Sequence, residues 1–282
     1  MSTNTEGRSP AWRGIGVTRF IASWRQDLFL ALSFLTRLPV GRLAPALPEA
    51  TAGAESATPQ MRLAEAARAF PLAGLVVGLA GGLVYWIAIQ IGLSGLLAAL
   101  LAVAATGALT GALHEDGWAD FADGLGARGD RIRKLSAMKD SHIGSFGVLA
   151  LIFGTSIKVV AVATLYTPDR VITGLVAAHV LARAVLPLAM RSLPLATAQG
   201  LAVMAGRPSV QGVYSALGIG FVIAFFAVFL PAAIVALIVA IVAAALIGAI
   251  ARRQFGGYTG DVLGAIEQVA EIAVLINLVS LA

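Results

Sequence analysis

The stretch "HEDGWADFADGLGARGD" (114–130) gathers Glu115, Asp116, Asp120, Asp123 and Asp130, five of the 15 acids in a chain that is only 12% charged. It follows "LLAALLAVAATGALTGAL", which has no charge. If 113–125 prolong the preceding apolar segment as a helix beyond the hydrocarbon, Asp116, Asp120 and Asp123 fall within an arc of roughly 60° and form one column. Carboxylates at i,i+4 repel one another. A hard divalent cation with oxygen ligands relieves that repulsion, and Mg²⁺ held by carboxylates and substrate phosphates is the common case. Gly117 and Gly124 each follow a column aspartate and are read as clearance for a bulky ligand.

The next residues turn basic: Arg128, Arg131, Arg133, Lys134 and Lys139 follow within a few turns. An anion held between a metal and these cations is the arrangement of phosphoryl transfer. Arg128, Arg133 and Lys139 are expected to bind such a substrate. Arg131, Arg133 and Lys134 have a plainer reading as membrane-topology charges. Asp140 stands before "SHIGSFG" as a further metal ligand or as the base that activates a hydroxyl. Ser141 is expected to touch substrate, with helix capping as the alternative it shares with Ser145. His142 is open between base, phosphate contact and surface residue.

Ionisable groups within apolar segments default to functional candidates. Lys158 lies three to four turns into one such segment. His179 and Arg183 share a helical face in another, and Glu267 and Glu271 repeat the i,i+4 spacing in a third. Two readings stand: internal ion pairs, or a wet cavity in which Lys158 and Arg183 bind substrate.

What positions these residues is a set of membrane helices. The 282 residues are 59% hydrophobic with mean hydropathy +0.88, whereas a soluble domain carries roughly a quarter charged residues. Candidate spans lie at 70–91, 93–113, 144–166, 171–190, 210–230, 232–251 and 262–281. The fold class is an all-α polytopic membrane bundle of about seven spans. Before them, "DLFLALSFLTRLPVG" (27–41) reads as an interfacial or re-entrant helix ended by Pro39 and Gly41. Residues 1–26 are expected to be a polar, disordered N-terminus without a signal peptide. Residues 27–282 form one membrane-embedded catalytic domain that contains a linker at 42–60. Pro231 alone parts the fifth and sixth spans, leaving a tight hairpin or one broken helix.

Seven spans put 17 of the 20 Lys and Arg on one side, together with the N-terminus and the loops at 114–143, 191–209 and 252–261. That side is expected to be cytoplasmic. The formal charge of +5 has the same origin, so nucleic acid is not an expected partner. The chain has no cysteine, which excludes disulfides and thiolate metal sites.

Five ordered blocks resemble the cobalamin synthase family, CobS, the adenosylcobinamide-GDP ribazoletransferases. They are "FLTRLPV" (34–40), "ARAFPLAGLVVG" (67–78), "LHEDGWADFADGLGA" (113–127), "RKLSAMKDSHIGSFGVLAL" (133–151) and "GGYTGDVLGAIEQVAEIAVLI" (256–276). The resemblance implies a Mg²⁺-dependent transferase of the bacterial inner membrane. Its substrates are adenosylcobinamide-GDP and α-ribazole or its 5′-phosphate. A ribose hydroxyl displaces GMP and gives adenosylcobalamin or its 5′-phosphate. Matching positions imply that Asp116, Asp120 and Asp123 hold the metal, that Asp140 is a ligand or base, and that Thr259 and Asp261 line the site. Asp261 is counted with Asp140 as catalytic and Thr259 as substrate-binding. Glu115 and His142 depart from the family pattern. Expected partners are the substrates and the lipid bilayer and, more loosely, other enzymes of the same pathway and a second copy of the chain. Two alternatives were weighed. A CDP-alcohol phosphotransferase shares Asp120, Asp123, Gly124, Ala127 and Arg128 but fails at Ala137, Ser141 and Ser145. A cation transporter lacks an evident pair of inverted broken helices.

Overall fold

A computed structural model describes residues 12–40 and 59–281. The secondary structure is helical, with one isolated bridge between Leu195 and Tyr258. The helices are α1 (Trp12–Leu35), α2 (Pro59–Ala66), α3 (Phe70–Gln90), α4 (Gly95–Thr110), α5 (Leu113–Gly126), α6 (Arg131–Ala137), α7 (Ser145–Leu165), α8 (Pro168–Ala184), α9 (Leu186–Ser192), α10 (Leu201–Ala205), α11 (Val210–Val228), α12 (Leu230–Gln254) and α13 (Gly260–Ser280). Among the described residues, six stretches are long and apolar enough to cross a membrane, or seven if the bent pair α4–α5 counts as one span. The all-α polytopic architecture is therefore as the sequence indicates.

Local chemistry sets the helix ends. Ser94, Ser209 and Thr259 each cap a helix by accepting a backbone N–H, from Leu97, Gly212 and Val262 respectively. Phe229, at φ 64, turns the chain between α11 and α12, so Pro231 opens a second helix after a tight turn. The most buried span is Pro168–Ser192, the α8–α9 pair. Helix α3 lies directly on it. A Cβ at Gly74 would come within 2.4 Å of the His179 carbonyl oxygen, so only glycine permits this approach. Small residues at the contact are how membrane helices gain packing where lipid is as apolar as leucine.

The N-terminal region corrects the sequence reading. Helix α1 runs as one element from Trp12 to Leu35, so it begins well before the interfacial or re-entrant helix read at 27–41. Residues 1–11 lie outside the described residues, as do 41–58, which hold most of the expected linker. Arg68 ties α1 to the start of the first span. Its Nε donates to Asp27 Oδ2 at 2.6 Å, and its guanidinium sits 4.2 Å from the Trp24 ring centroid. Burial raises the Asp27 carboxyl above its ordinary value, while the bond from Arg68 pulls it down.

The acidic helix is the largest departure. Gly111 (φ 65) and Ala112 (φ 56) are both left-handed, and the chain bends by 90° between α4 and α5. Arg37 occupies the corner: its N–H donates to Leu109 O at 2.7 Å, and its side chain packs where a Gly111 Cβ would stand. Residues 113–126 thus do not prolong the second span outward. They run back into the bundle, antiparallel to α7 and α13. Asp123, Trp118 and Glu115 meet Gly144, Ala150 and Lys158 in turn, and Gly117 and Glu115 meet Asp261 and Gln268.

Candidate active site

The inward turn of α5 brings three acids together with a fourth from a distant segment. Asp120 lies within electrostatic reach of Asp116, Asp123 and Asp261, and Asp261 within reach of Asp116 and Lys139. The approach depends on two glycines. A Cβ at Gly117 would stand 3.0 Å from the Asp261 backbone, and one at Gly264 3.1 Å from Gly117 Cα. Gly117 therefore serves helix contact rather than ligand clearance. Gly124 does likewise against Met138 and Phe255.

Asp116, Asp261, Thr259 and Lys139 line a cavity of about 420 Å³. Thr259 links capping to chemistry. Its hydroxyl oxygen accepts the Val262 N–H at 3.3 Å, and its hydroxyl proton is donated to Asp261 Oδ2 at 3.1 Å. Much of the remaining lining is apolar and includes Phe34, Leu63, Phe70, Leu186 and Met190. Sequence reasoning missed this apolar lining, because its residues come from α1, α2, α3 and α9 and none carries a polar signal.

Asp123 has another task. Its Oδ2 accepts the Gly144 N–H at 2.7 Å and its Oδ1 the Gly147 N–H at 2.8 Å. It caps α7 across space, using both oxygens on the orphan amides of that helix start. Asp130, the acid outside the column, caps α6 through the Arg133 N–H at 3.0 Å.

The basic cluster divides as well. Arg131 donates to Ala196 O at 2.6 Å and Lys134 to Gln254, so both fasten α6 to neighbouring loops. Arg128, Arg133 and Asp140 line a second, more open depression. Asp140 lines this depression and is not among the residues that line the cavity. Its Oδ1 accepts the His142 N–H and contacts His142 Nδ1, both at 3.0 Å. The backbone bond, then the ring contact, hold this exposed carboxyl below its ordinary value. Ser141 is exposed beside it.

Lys158 and Arg183, expected to touch substrate, are not among the residues that line the cavity. Both are buried in an internal ion network. Lys158 Nζ lies 3.1 Å from Glu115 Oε1, 2.9 Å from Gln268 Oε1 and 3.5 Å from Glu271 Oε1. Arg183 Nη1 pairs with Glu267, lies 3.6 Å from Glu271 Oε2, and is 2.8 Å from His179 Nδ1. Its Nη2 is 3.3 Å from His114 Nδ1. The i,i+4 repeats at 179/183 and 267/271 signalled this pairing. The parts played by His114, Glu115 and Gln268 did not show in any spacing.

Two groups of residues have donors that could hold a metal. Among the described residues, His179, Glu267 and Glu271 are the group whose donor atoms all lie within 4.8 Å of one another. The Arg183 guanidinium and the Lys158 ammonium already contact these acids. The acids around the cavity are looser and purely oxygen donors. That suits Mg²⁺, which keeps several waters and takes one or two carboxylates plus substrate phosphates.

The model of the family described as cobalamin-5-phosphate synthase, CobS, matches residues 27–279. The chain belongs to the CobS family. It is 45% identical over 250 residues to the adenosylcobinamide-GDP ribazoletransferase of Bradyrhizobium diazoefficiens, covering 89% of this chain and 92% of that protein. It is 40% identical to the protein of that name from Mesorhizobium japonicum, over 89% and 91% of the two chains. Identity to the Allorhizobium ampelinum protein is 36%, over 92% and 98%. No solved structure matches. Membership of CobS displaces both the CDP-alcohol phosphotransferase and the transporter alternatives.

Proposed function

We propose that this chain carries out the reaction for which its relatives are named, joining α-ribazole or its 5′-phosphate to adenosylcobinamide-GDP in the assembly of the cobalamin nucleotide loop. The observation that carries the reading is the cavity in which Asp116 and Asp261 meet Lys139, in a chain that aligns with ribazoletransferases over nearly its whole length. A ribose hydroxyl attacks the phosphorus bearing the cobinamide. One P–O bond forms to the ribose and one breaks to GMP. GMP leaves with the electron pair of the broken bond, and the hydroxyl proton passes to a base.

Asp261 is the base. Thr259 donates to its Oδ2, which leaves Oδ1 to take the proton. General bases of this kind contribute about 10²–10⁴-fold. Asp116 and Asp120 would hold Mg²⁺. Bound there, Mg²⁺ supplies positive charge against the diphosphate. Lys139 binds the same anion from the cavity wall, and Arg128 and Arg133 extend the basic surface for the nucleotide. Asp123 acts by holding the start of α7 against α5. Asp140 organises the 139–142 turn through its contacts with His142.

The purified chain should release GMP from adenosylcobinamide-GDP only when α-ribazole, or its 5′-phosphate, and Mg²⁺ are both present. Release that ignores the ribazole would overturn the reading. The charge asymmetry of the loops supports a bacterial inner-membrane protein with this site on the cytoplasmic side. A cysteine placed at position 130 should then react with an impermeant thiol reagent only after the membrane is opened; labelling of intact cells would reverse the orientation.

A further inference from the structure

The cavity is lined by two chemically different sets of residues. One set is Asp116, Lys139, Thr259 and Asp261, and the other Phe34, Leu63, Phe70, Leu186 and Met190. Phe34 and Phe70 are stacked, with centroids 6.2 Å apart and planes 21° from parallel. A ligand that meets both sets has a flat apolar part and a hydroxylated or anionic part. A volume of about 420 Å³ lies in the range of small-molecule pockets and has room for a nucleoside, not for a corrin macrocycle with its nucleotide. Resting on the proposed function, we propose that this cavity is the ribazole subsite. The apolar set seats the methylated benzimidazole, and the polar set receives the ribose hydroxyls.

The competing occupant is the guanine of the other substrate. Guanine carries hydrogen-bonding groups along most of its edge, and an apolar wall would leave them unpaired. Among the polar groups that line the cavity beyond the acids, the Thr197 hydroxyl is already donated to Gln199 O at 2.7 Å. The benzimidazole has two methyl groups and few polar atoms, so it loses little on this wall. Gly260 lies beside the base, and a Cβ there would meet nothing within 4 Å, so the polar lining has open space next to Asp261. The placement also sets the order of parts. With the ring against Phe34 and Phe70, the ribose faces Asp261, and the activated corrinoid approaches from the basic depression of Arg128 and Arg133.

The test uses the full chain in detergent with both substrates varied. Phe34→Ala should raise the KM for α-ribazole about ten-fold or more, as expected for lost apolar contact in a specificity pocket. The KM for adenosylcobinamide-GDP should stay within about two-fold of the parent value. Ala202→Leu, which adds bulk to the cavity wall from α10, should also raise the KM for α-ribazole. An analogue lacking the two ring methyls should recover most of that loss. This second variant decides the matter if Phe34→Ala does not fold. A rise confined to the KM for adenosylcobinamide-GDP would give the cavity to guanine and overturn the inference. So would two folded variants with neither KM changed. Either result leaves the transferase reading intact, because that reading fails only if the parent chain transfers no ribazole.

Discussion

Glu115 and Asp116 are adjacent in sequence, yet Glu115 is bonded to a buried lysine and Asp116 lines the cavity. The same split divides α13, where Asp261 faces the cavity and Glu267 and Glu271 face Arg183, His179 and Lys158. In the buried network three glutamates meet two cations at hydrogen-bond or ion-pair distance. Beside the cavity, by contrast, the charged neighbours of Asp120 are the acids Asp261, Asp116 and Asp123, and Asp261 has Lys139 as well as Asp116 within electrostatic reach. Taking a charge out of water is costly unless it is paired, so the network has to be close to balanced for the bundle to hold together. The cavity is open enough for its acids to stay unbalanced until a cation and a phosphate arrive. On the proposed function the same residue types secure the fold in one region and do chemistry in the other, and the balance of charge separates the two roles.

The largest expected effect breaks the cavity half of that contrast. Asp120→Asn and Asp261→Asn should each lower kcat by about 10²-fold or more, with membrane insertion and thermal unfolding close to the parent protein. For Asp120→Asn the loss should come with a higher Mg²⁺ concentration for half-maximal activity. Near-normal turnover in both variants would remove the cavity acids from the mechanism.

Arg183→Met tests the other half. It leaves Glu267 and Glu271, both buried, without their guanidinium. Removing one partner of a buried pair costs about 3–5 kcal/mol, which should appear as a large fall in unfolding temperature in detergent. Arg183→Met combined with Glu267→Gln should recover part of it, since the orphaned charge is then gone. A stable Arg183→Met that lost only activity would move this network into the catalytic machinery and erase the contrast.

How much of this was legible in the sequence follows from the period of the signals. The spans, the acidic column and the i,i+4 pairs at 179/183 and 267/271 are local, and a 3.6-residue period reveals them. The bend at Gly111–Ala112 is local too, but its sense is not. "TGAL" is compatible with a continuous helix, and the tertiary fit of Arg37 into the corner fixes the left-handed pair. Once α5 turns inward, the readings of three of its residues change. Gly117 becomes a helix contact, Asp123 a cap and Glu115 an ion-pair partner. The apolar wall was invisible because Phe34, Leu63 and Met190 look like any other membrane-helix residues until the fold brings them to one cavity.

Asp123 gives the smallest effect and the sharpest discrimination, because it stands at the border between the two regions. As a cap, its carboxylate satisfies the N–H groups of Gly144 and Gly147. Asn at this position keeps one oxygen acceptor and turns an NH₂ toward the second amide, so one of the two bonds is lost. Capping losses cost about 0.5–2 kcal/mol, and Asp123→Asn should lower the unfolding temperature modestly. The start of α7 would loosen against α5, so kcat should fall several-fold rather than a hundred-fold. The Mg²⁺ concentration for half-maximal activity should stay where it is in the parent chain, unlike that of Asp120→Asn. If instead Asp123→Asn raises the Mg²⁺ requirement as far as Asp120→Asn does, Asp123 is a metal ligand as well as a cap. The border between structural and chemical acids would then run through a single carboxylate.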